Sequence, residues 1–313
     1  MSARRLRESV VVITGASSGI GRATALRFAR KGAAVVLTAR NETALRELAT
    51  ECTRLGARAL VLPADVADET SMKELAQLAA GAFQRIDIWV NNAAESLFVR
   101  FEDTPPESFR QLVEADLFGY LHGARAALPY FRQQGSGVLI NVSSVFGTLG
   151  APYLNAYATS KYALRGLSES LRKEGREAHL RVVSVLPATL NSPLLHAGAT
   201  VRPHSVKPLE PLYIADRVAR AIVRSALHPK RELYVSGAGR KPRLLRTLLR
   251  RPRLPATPAK ATAAPLPAPA TPAAASEGRR HPSPLRTGLM LGLLAVPVLL
   301  GWRWLTQGRG FFF

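Results

Sequence analysis

Seven short apolar runs rich in β-branched residues punctuate the first three quarters of the chain, at 10–14, 34–38, 59–62, 87–90, 138–142, 181–186 and 232–235. Between them lie longer amphipathic stretches, near 20–31, 42–55, 70–84, 106–133, 153–176 and 214–227. Unbroken apolar runs of this length read as strands buried on both faces, and the intervening 3.6-residue periodicity reads as helix. Regular strand–helix alternation predicts an α/β fold: one doubly wound parallel sheet with helices on both faces, covering residues 1–239. That length suffices for one substantial core, and no internal repeat is visible. Pro105 and Pro106 stand where the helix over 106–133 begins, with Thr104 placed to cap it.

The first strand runs straight into Thr14-Gly15-Ala16-Ser17-Ser18-Gly19-Ile20-Gly21 and then into a helical stretch. Strand, glycine-rich turn and helix together aim backbone N–H groups and a helix N-terminus at phosphate, which points to a dinucleotide. The spacing Gly-x-x-x-Gly-x-Gly differs from the commonest dinucleotide fingerprint. Further along, Tyr157 and Lys161 stand four residues apart, and Ser144 lies thirteen residues before the tyrosine. On a helix an i, i+4 pair shares one face. A lysine ammonium beside a phenol favours phenolate and predicts a lowered Tyr157 pKa, while a serine hydroxyl holds a substrate oxygen.

These motifs resemble those of the short-chain dehydrogenase/reductase family. The likeness covers residues 8–237 and is carried in order by Thr14-Gly-x-x-x-Gly-x-Gly21, Asp65-Val66, Asn91-Asn-Ala-Ala94, Asn141-Val-Ser-Ser144, Tyr157-x-x-x-Lys161 and Pro187-Ala188. The resemblance implies a single Rossmann-like domain and an NAD(P)-dependent oxidoreductase that interconverts a carbonyl and a secondary alcohol by hydride transfer. Tyr157 would be the general acid/base, Lys161 its activator and a ligand of the nicotinamide ribose, and Ser144 the group orienting the substrate oxygen. Thr14, Gly15, Ser17, Ser18, Gly19, Ile20 and Gly21 would form the pyrophosphate turn. Asp65 and Val66 would hold the adenine ring, and Asn91, Ala93 and Pro187 would line the cofactor site.

At the end of the second strand Ala39 and Arg40 stand where an acid would favour NAD(H); a cation there suits a 2′-phosphate and favours NADP(H). Three positions depart from the family pattern. Asp116 replaces the asparagine of the fourth catalytic position, and its charge can pair with or perturb Lys161. Ala94 and Ala188 replace glycines. These departures motivate an alternative, a catalytically weak NADP(H)-binding membrane-associated scaffold or sensor. The variable segments contain Leu97, Phe98, Phe101, Phe146, Leu149, Tyr153, Leu154, Leu190, Leu194 and Leu195, which suit a small hydrophobic carbonyl or alcohol substrate. His196 and His204 lack acidic neighbours, so no metal site is expected. Cys52, the single cysteine, excludes disulfides within one chain and reads as ordinary packing. Relatives of this family commonly form homo-oligomers.

Composition changes sharply after residue 239. Residues 240–313 carry 13 basic side chains and one acid, Glu277, and so contribute +12 of the net +21. Residues 240–253 set arginines among leucines as a basic amphipathic segment does. The stretch 254–284 holds 8 prolines and 10 alanines, a composition that cannot bury a core and predicts a disordered linker. Residues 285–305 form an apolar stretch ending in Trp302-Arg303-Trp304, followed by the tail 306–313. The uncharged run Gly288–Trp302 spans about 22 Å as a helix, against roughly 30 Å of hydrocarbon. Flanking arginines and tryptophans extend that reach and suit an interface. The expectation is a C-terminal hydrophobic anchor in contact with membrane lipid, a single short span ahead of an in-plane helix, with the catalytic domain facing the cytoplasm. Arginines alone also suggest nucleic acid, but no aromatic interleaving or recognised module accompanies them, so no nucleic-acid partner is expected.

Overall fold

The computed structural model describes residues 6–175, 180–188 and 211–236. Its strands are β1 (Val10–Thr14), β2 (Ala34–Thr38), β3 (Ala59–Val61), β4 (Ile88–Asn91), β5 (Gly137–Val142), β6 (Leu180–Ala188) and β7 (Glu232–Ser236). They make one parallel sheet in the order β3-β2-β1-β4-β5-β6-β7. The helices are α1 (Gly19–Ala29), α2 (Glu42–Arg54), α3 (Glu69–Phe83), α4 (Pro106–Val113), α5 (Gly119–Gln133), α6 (Asn155–Glu174) and α7 (Pro211–Leu227). The Rossmann-like doubly wound architecture expected from the hydrophobic pattern is therefore present.

Period-two alternation sorts each apolar strand between two cores. Val11, Ile13, Val35, Leu37, Ile88, Val90 and Ile140 pack against Phe28 of α1, Leu45 and Leu48 of α2, and Val218 and Ile222 of α7. Their neighbours Val10, Val12, Val36, Trp89 and Leu139 face the other way, onto Met72 and Leu75 of α3 and Ala127 and Phe131 of α5. Cys52 belongs to the first core, where burial pushes its thiol pKa up to about 11. Side chains cap two helices: the Asn41 carbonyl oxygen accepts from Ala44 N at 3.0 Å, and Asp68 accepts from Thr70 N at 2.9 Å.

β1 marks the point where the strand order reverses, since β2 lies on one side of it and β4 on the other. In such sheets the crevice at the carboxyl ends of the strands, beside the reversal, is where ligands bind.

Two local expectations change. The stretch 106–133 is not one regular helix: a π-helical turn, Glu114–Phe118, separates α4 from α5. Thr104 does not cap α4; Pro105 holds the cap position, and the Thr104 hydroxyl donates to Arg100 O at 2.7 Å. A short 3₁₀ turn, Val145–Gly147, follows β5.

The membrane assignment is corrected. Among the described residues no helix is long and apolar enough to cross a bilayer, which overturns the expectation of a membrane-associated protein facing the cytoplasm. Helices α1, α2, α3, α5 and α7 instead set apolar side chains against the sheet, while Leu112 of α4 packs with Leu97, Val99 and Ala156. The basic segment 240–253, the linker 254–284 and the hydrophobic stretch 285–305 lie outside the described residues.

Candidate active site

Lys161 projects from the second turn of α6 and is buried to the ammonium. Its Nζ lies 2.9 Å from Asp116 Oδ2, and neither side chain exposes more than 1% of its surface. The contact is an ion pair between two buried side chains. The same ammonium sits 4.8 Å from the Tyr120 ring centroid and 5.3 Å from that of Tyr157, within cation–π range of both. Tyr157, one turn before Lys161, is partly buried against Phe146 and Leu154. Ser144, just beyond the carboxyl end of β5, accepts from Phe146 N at 3.2 Å, and its hydroxyl favours the ionised form of the Tyr157 phenol. The neighbouring Ser143 hydroxyl is buried without a hydrogen-bond partner among the described residues.

Asp116 is delivered by the π-helical turn. The wider turn places an aspartate between Lys161 and the chain leaving β4, where Asp116 Oδ1 accepts from Glu95 N at 2.6 Å. Inserted turns of this kind frequently serve functional sites. Burial raises the Asp116 pKa, opposed by Lys161 and by the Glu95 amide. Burial also raises the Tyr157 pKa; Lys161 opposes the shift, Asp116 reinforces it and the Ser144 hydroxyl opposes it. The expected net lowering of the tyrosine is thus reversed. Asp116 faces the same ammonium and offsets the influence it would have on the phenol.

The glycine turn belongs to the same cleft. Thr14 Oγ1 accepts from Asn92 N at 2.9 Å and Ala93 N at 3.0 Å, and the Asn92 amide donates to Thr14 O and Gly15 O at 3.0 and 3.2 Å. Gly15 has φ +63°, and a Cβ there would stand 2.7 Å from Ala93 Cα. Gly19, φ +52°, is different: a Cβ there would meet nothing within 4 Å. It borders open space at the N-terminus of α1, whose exposed N-cap Ser18 makes no side-chain cap bond. Ser17 is partly buried, Ile20 packs on the first core and Gly21 is buried beneath the turn.

Other predicted residues take more specific places. Asn91 turns inward, accepting from Trp89 Nε1 at 2.8 Å and donating to Tyr120 O and Asn141 Oδ1, each at 3.0 Å. It shapes the cleft from beneath and is 1% exposed. Asp65 accepts from Ala67 N at 3.0 Å, and Val66 O lies 3.1 Å from His122 Nδ1. Pro187, near the end of β6, is buried, and the following Ala188 packs beside Phe146 and Leu154. Arg40, exposed at the end of β2, is ion-paired to Glu95 at 2.8 Å. Arg22 is ion-paired to Glu51.

Sequence reasoning missed Asn92, Glu95 and Tyr120. The doubled amide Asn91-Asn92 and the i, i+4 spacing of Asp116 and Tyr120 were usable signals. Nothing local marks Glu95 as a partner of Arg40.

The short chain dehydrogenase family model matches residues 9–200. The chain belongs to the short-chain dehydrogenase family. Its relatives include an uncharacterized oxidoreductase of Bacillus subtilis, YxnA, 38% identical over 80% of this chain and 71% of its own length. Another, from Staphylococcus epidermidis, is 34% identical over 70% of this chain and 93% of its own. Among solved structures, an alcohol dehydrogenase of the archaeon Thermococcus sibiricus complexed with 5-hydroxy-NADP superposes with TM-score 0.65 at 26% identity, covering 75% of this chain and 98% of that one. A metagenomic short-chain oxidoreductase in complex with NADP gives 0.63 at 29%, covering 73% and 97%. This chain is accordingly a dehydrogenase/reductase enzyme of the short-chain family.

Proposed function

We propose that this short-chain dehydrogenase is an NADP(H)-dependent oxidoreductase that interconverts a carbonyl and a secondary alcohol on a small hydrophobic substrate. The observation that carries the proposal is the buried Lys161 ammonium, shared by Asp116, Tyr120 and Tyr157 in the cleft that the glycine turn borders. The residues present fit a dinucleotide: the open face of Gly19 and the uncapped start of α1 suit a diphosphate, and Arg40 suits a 2′-phosphate. Lys161, Asp65 and Ala93 would complete the site. When bound, the cofactor supplies or accepts the hydride at the reacting carbon.

This chain's own side chains handle the oxygen. Ser144, beside the phenol, would hold the substrate oxygen in place, and Tyr157 would give it a proton in reduction or take one in oxidation. A phenol pKa raised by burial keeps Tyr157 protonated at neutral pH, which suits carbonyl reduction. Lys161 would stabilise the phenolate left after proton donation. Phe98 and Tyr153, whose ring centroids lie 5.2 Å apart, and Phe146 support an apolar substrate beside these groups. Leu190, Leu194 and Leu195 lie outside the described residues.

Replacing Tyr157 with Phe tests the reading. Turnover should fall by about 10²–10⁴-fold, while NADPH binding, read by its fluorescence, stays close to wild type. A Tyr157→Phe enzyme that reduces carbonyls at the normal rate overturns the assignment.

A further inference from the structure

Arg40 and Glu95 are 55 residues apart in the chain, yet they form an ion pair at the edge of the cofactor cleft. The guanidinium Nη2 lies 2.8 Å from Glu95 Oε1, with 39% of the arginine side chain exposed but only 14% of the glutamate's. The Glu95 backbone is anchored at this edge of the cleft, where its N–H donates to Asp116 Oδ1 at 2.6 Å. Its second oxygen, Oε2, is buried with no hydrogen-bond partner among the described residues. The charged groups that bear on the carboxylate are Arg40, which stabilises it, and Asp116 and Asp65, which repel it. Glu95 therefore depends on Arg40 for its compensation, and Arg40 is also the group placed to receive a 2′-phosphate.

We propose that Glu95 sets cofactor selectivity by competing with the 2′-phosphate for Arg40. The proposal rests on the reading of Arg40 as the phosphate-recognising residue. A guanidinium carries one positive charge, so a dianionic phosphate must share it with Glu95 or displace the carboxylate. Displacement leaves a largely buried carboxylate repelled by Asp116 and Asp65 without its counter-charge, which costs binding energy. A cofactor without the 2′-phosphate leaves the Arg40–Glu95 pair intact and escapes the penalty. Glu95 thus lowers the preference for NADP(H) that Arg40 alone would confer. An acid leaving β4 counterweighs the base at the end of β2.

The test is equilibrium binding of NADPH and NADH to the full-length protein, followed by cofactor fluorescence, for wild type, Glu95→Gln, Arg40→Ala and the double variant. Glu95→Gln should tighten NADPH about tenfold and leave NADH within about twofold. In the Arg40→Ala background the Glu95 substitution should no longer favour NADPH. An unchanged NADPH-to-NADH affinity ratio in Glu95→Gln, or a weaker NADPH complex, overturns the inference. Glu95→Ala is read in the same way should the glutamine variant not fold. Arg40→Ala separates the two levels of the argument. If it leaves NADPH affinity at the wild-type value, the reading of Arg40 itself fails and this inference falls with it. If it weakens NADPH but the Glu95 variants leave the ratio unmoved, only the competition is wrong.

Discussion

Lys161 is held by an anion on one side and two aromatic faces on another, and each of these neighbours changes what the ammonium does for Tyr157. A lone lysine beside a phenol pulls its pKa down. Here Asp116 lies 2.9 Å from the same ammonium and acts on the phenol in the opposite sense, adding to burial. A raised pKa means that the proton donor for reduction is abundant at neutral pH, whereas the phenolate needed for alcohol oxidation accumulates only as pH rises. Oxidation should therefore show kcat/KM increasing into the alkaline range, while reduction stays level and falls there. Asp116→Asn removes the charge that raises the phenol, retains an oxygen for the Glu95 amide, and should move both limbs to lower pH. The measurement is a pair of pH profiles for the two enzymes with one alcohol and the matching ketone; limbs that stay put, or move upward, contradict this electrostatic role.

At the scale of elements, the turn after β1 and the segment after β4 are built against each other, and the cleft exists only while they stay so. Gly15 makes the point measurable. Its positive φ disfavours any side chain, and an added Cβ would stand 2.7 Å from the backbone of Ala93. Gly15→Ala should lose about 1–3 kcal/mol of stability, read as a fall in unfolding midpoint, and weaken NADPH binding. A variant as stable as wild type would show that the turn relaxes without strain. The elements themselves were legible from hydrophobic pattern: the runs at 10–14 and 34–38 are β1 and β2 to the residue, because a strand buried on both faces leaves an unbroken apolar signature. The π-helical turn at Glu114–Phe118 was not, since the pieces on either side are short and a phase shift of about 100° between them blends into the ordinary scatter of apolar positions. Tyr157 and Lys161 were readable because an i, i+4 pair shares one helix face, and Ser144 was readable from the resemblance to the family. Glu95 escaped notice because its partner is reached only through the sheet, across two crossovers.

At the scale of the whole chain, the described core and the excess charge fall in different stretches of sequence. Among the described residues, the buried side chains of the two large hydrophobic cores fall between Leu6 and Ala226, and the last described strand, β7, runs to Ser236. The charge is distributed otherwise: the terminal segment carries +12 of +21, so residues 1–239 have a net charge of only +9. A protein ending at residue 239 should unfold within about 2–4 °C of the full-length chain, the shift that 1 kcal/mol produces at this size. Its NADPH affinity and its kcat/KM for a neutral ketone should match the full-length values, because the residues proposed to hold the cofactor and the substrate oxygen run from Thr14 to Pro187. Retention on a cation-exchange column should drop sharply, as the excess positive charge is what was removed. Thermal unfolding, cofactor titration and chromatography of the two proteins side by side decide the matter. A shortened chain that melts much lower, or binds NADPH poorly, would mean that residues beyond 239 complete the catalytic domain.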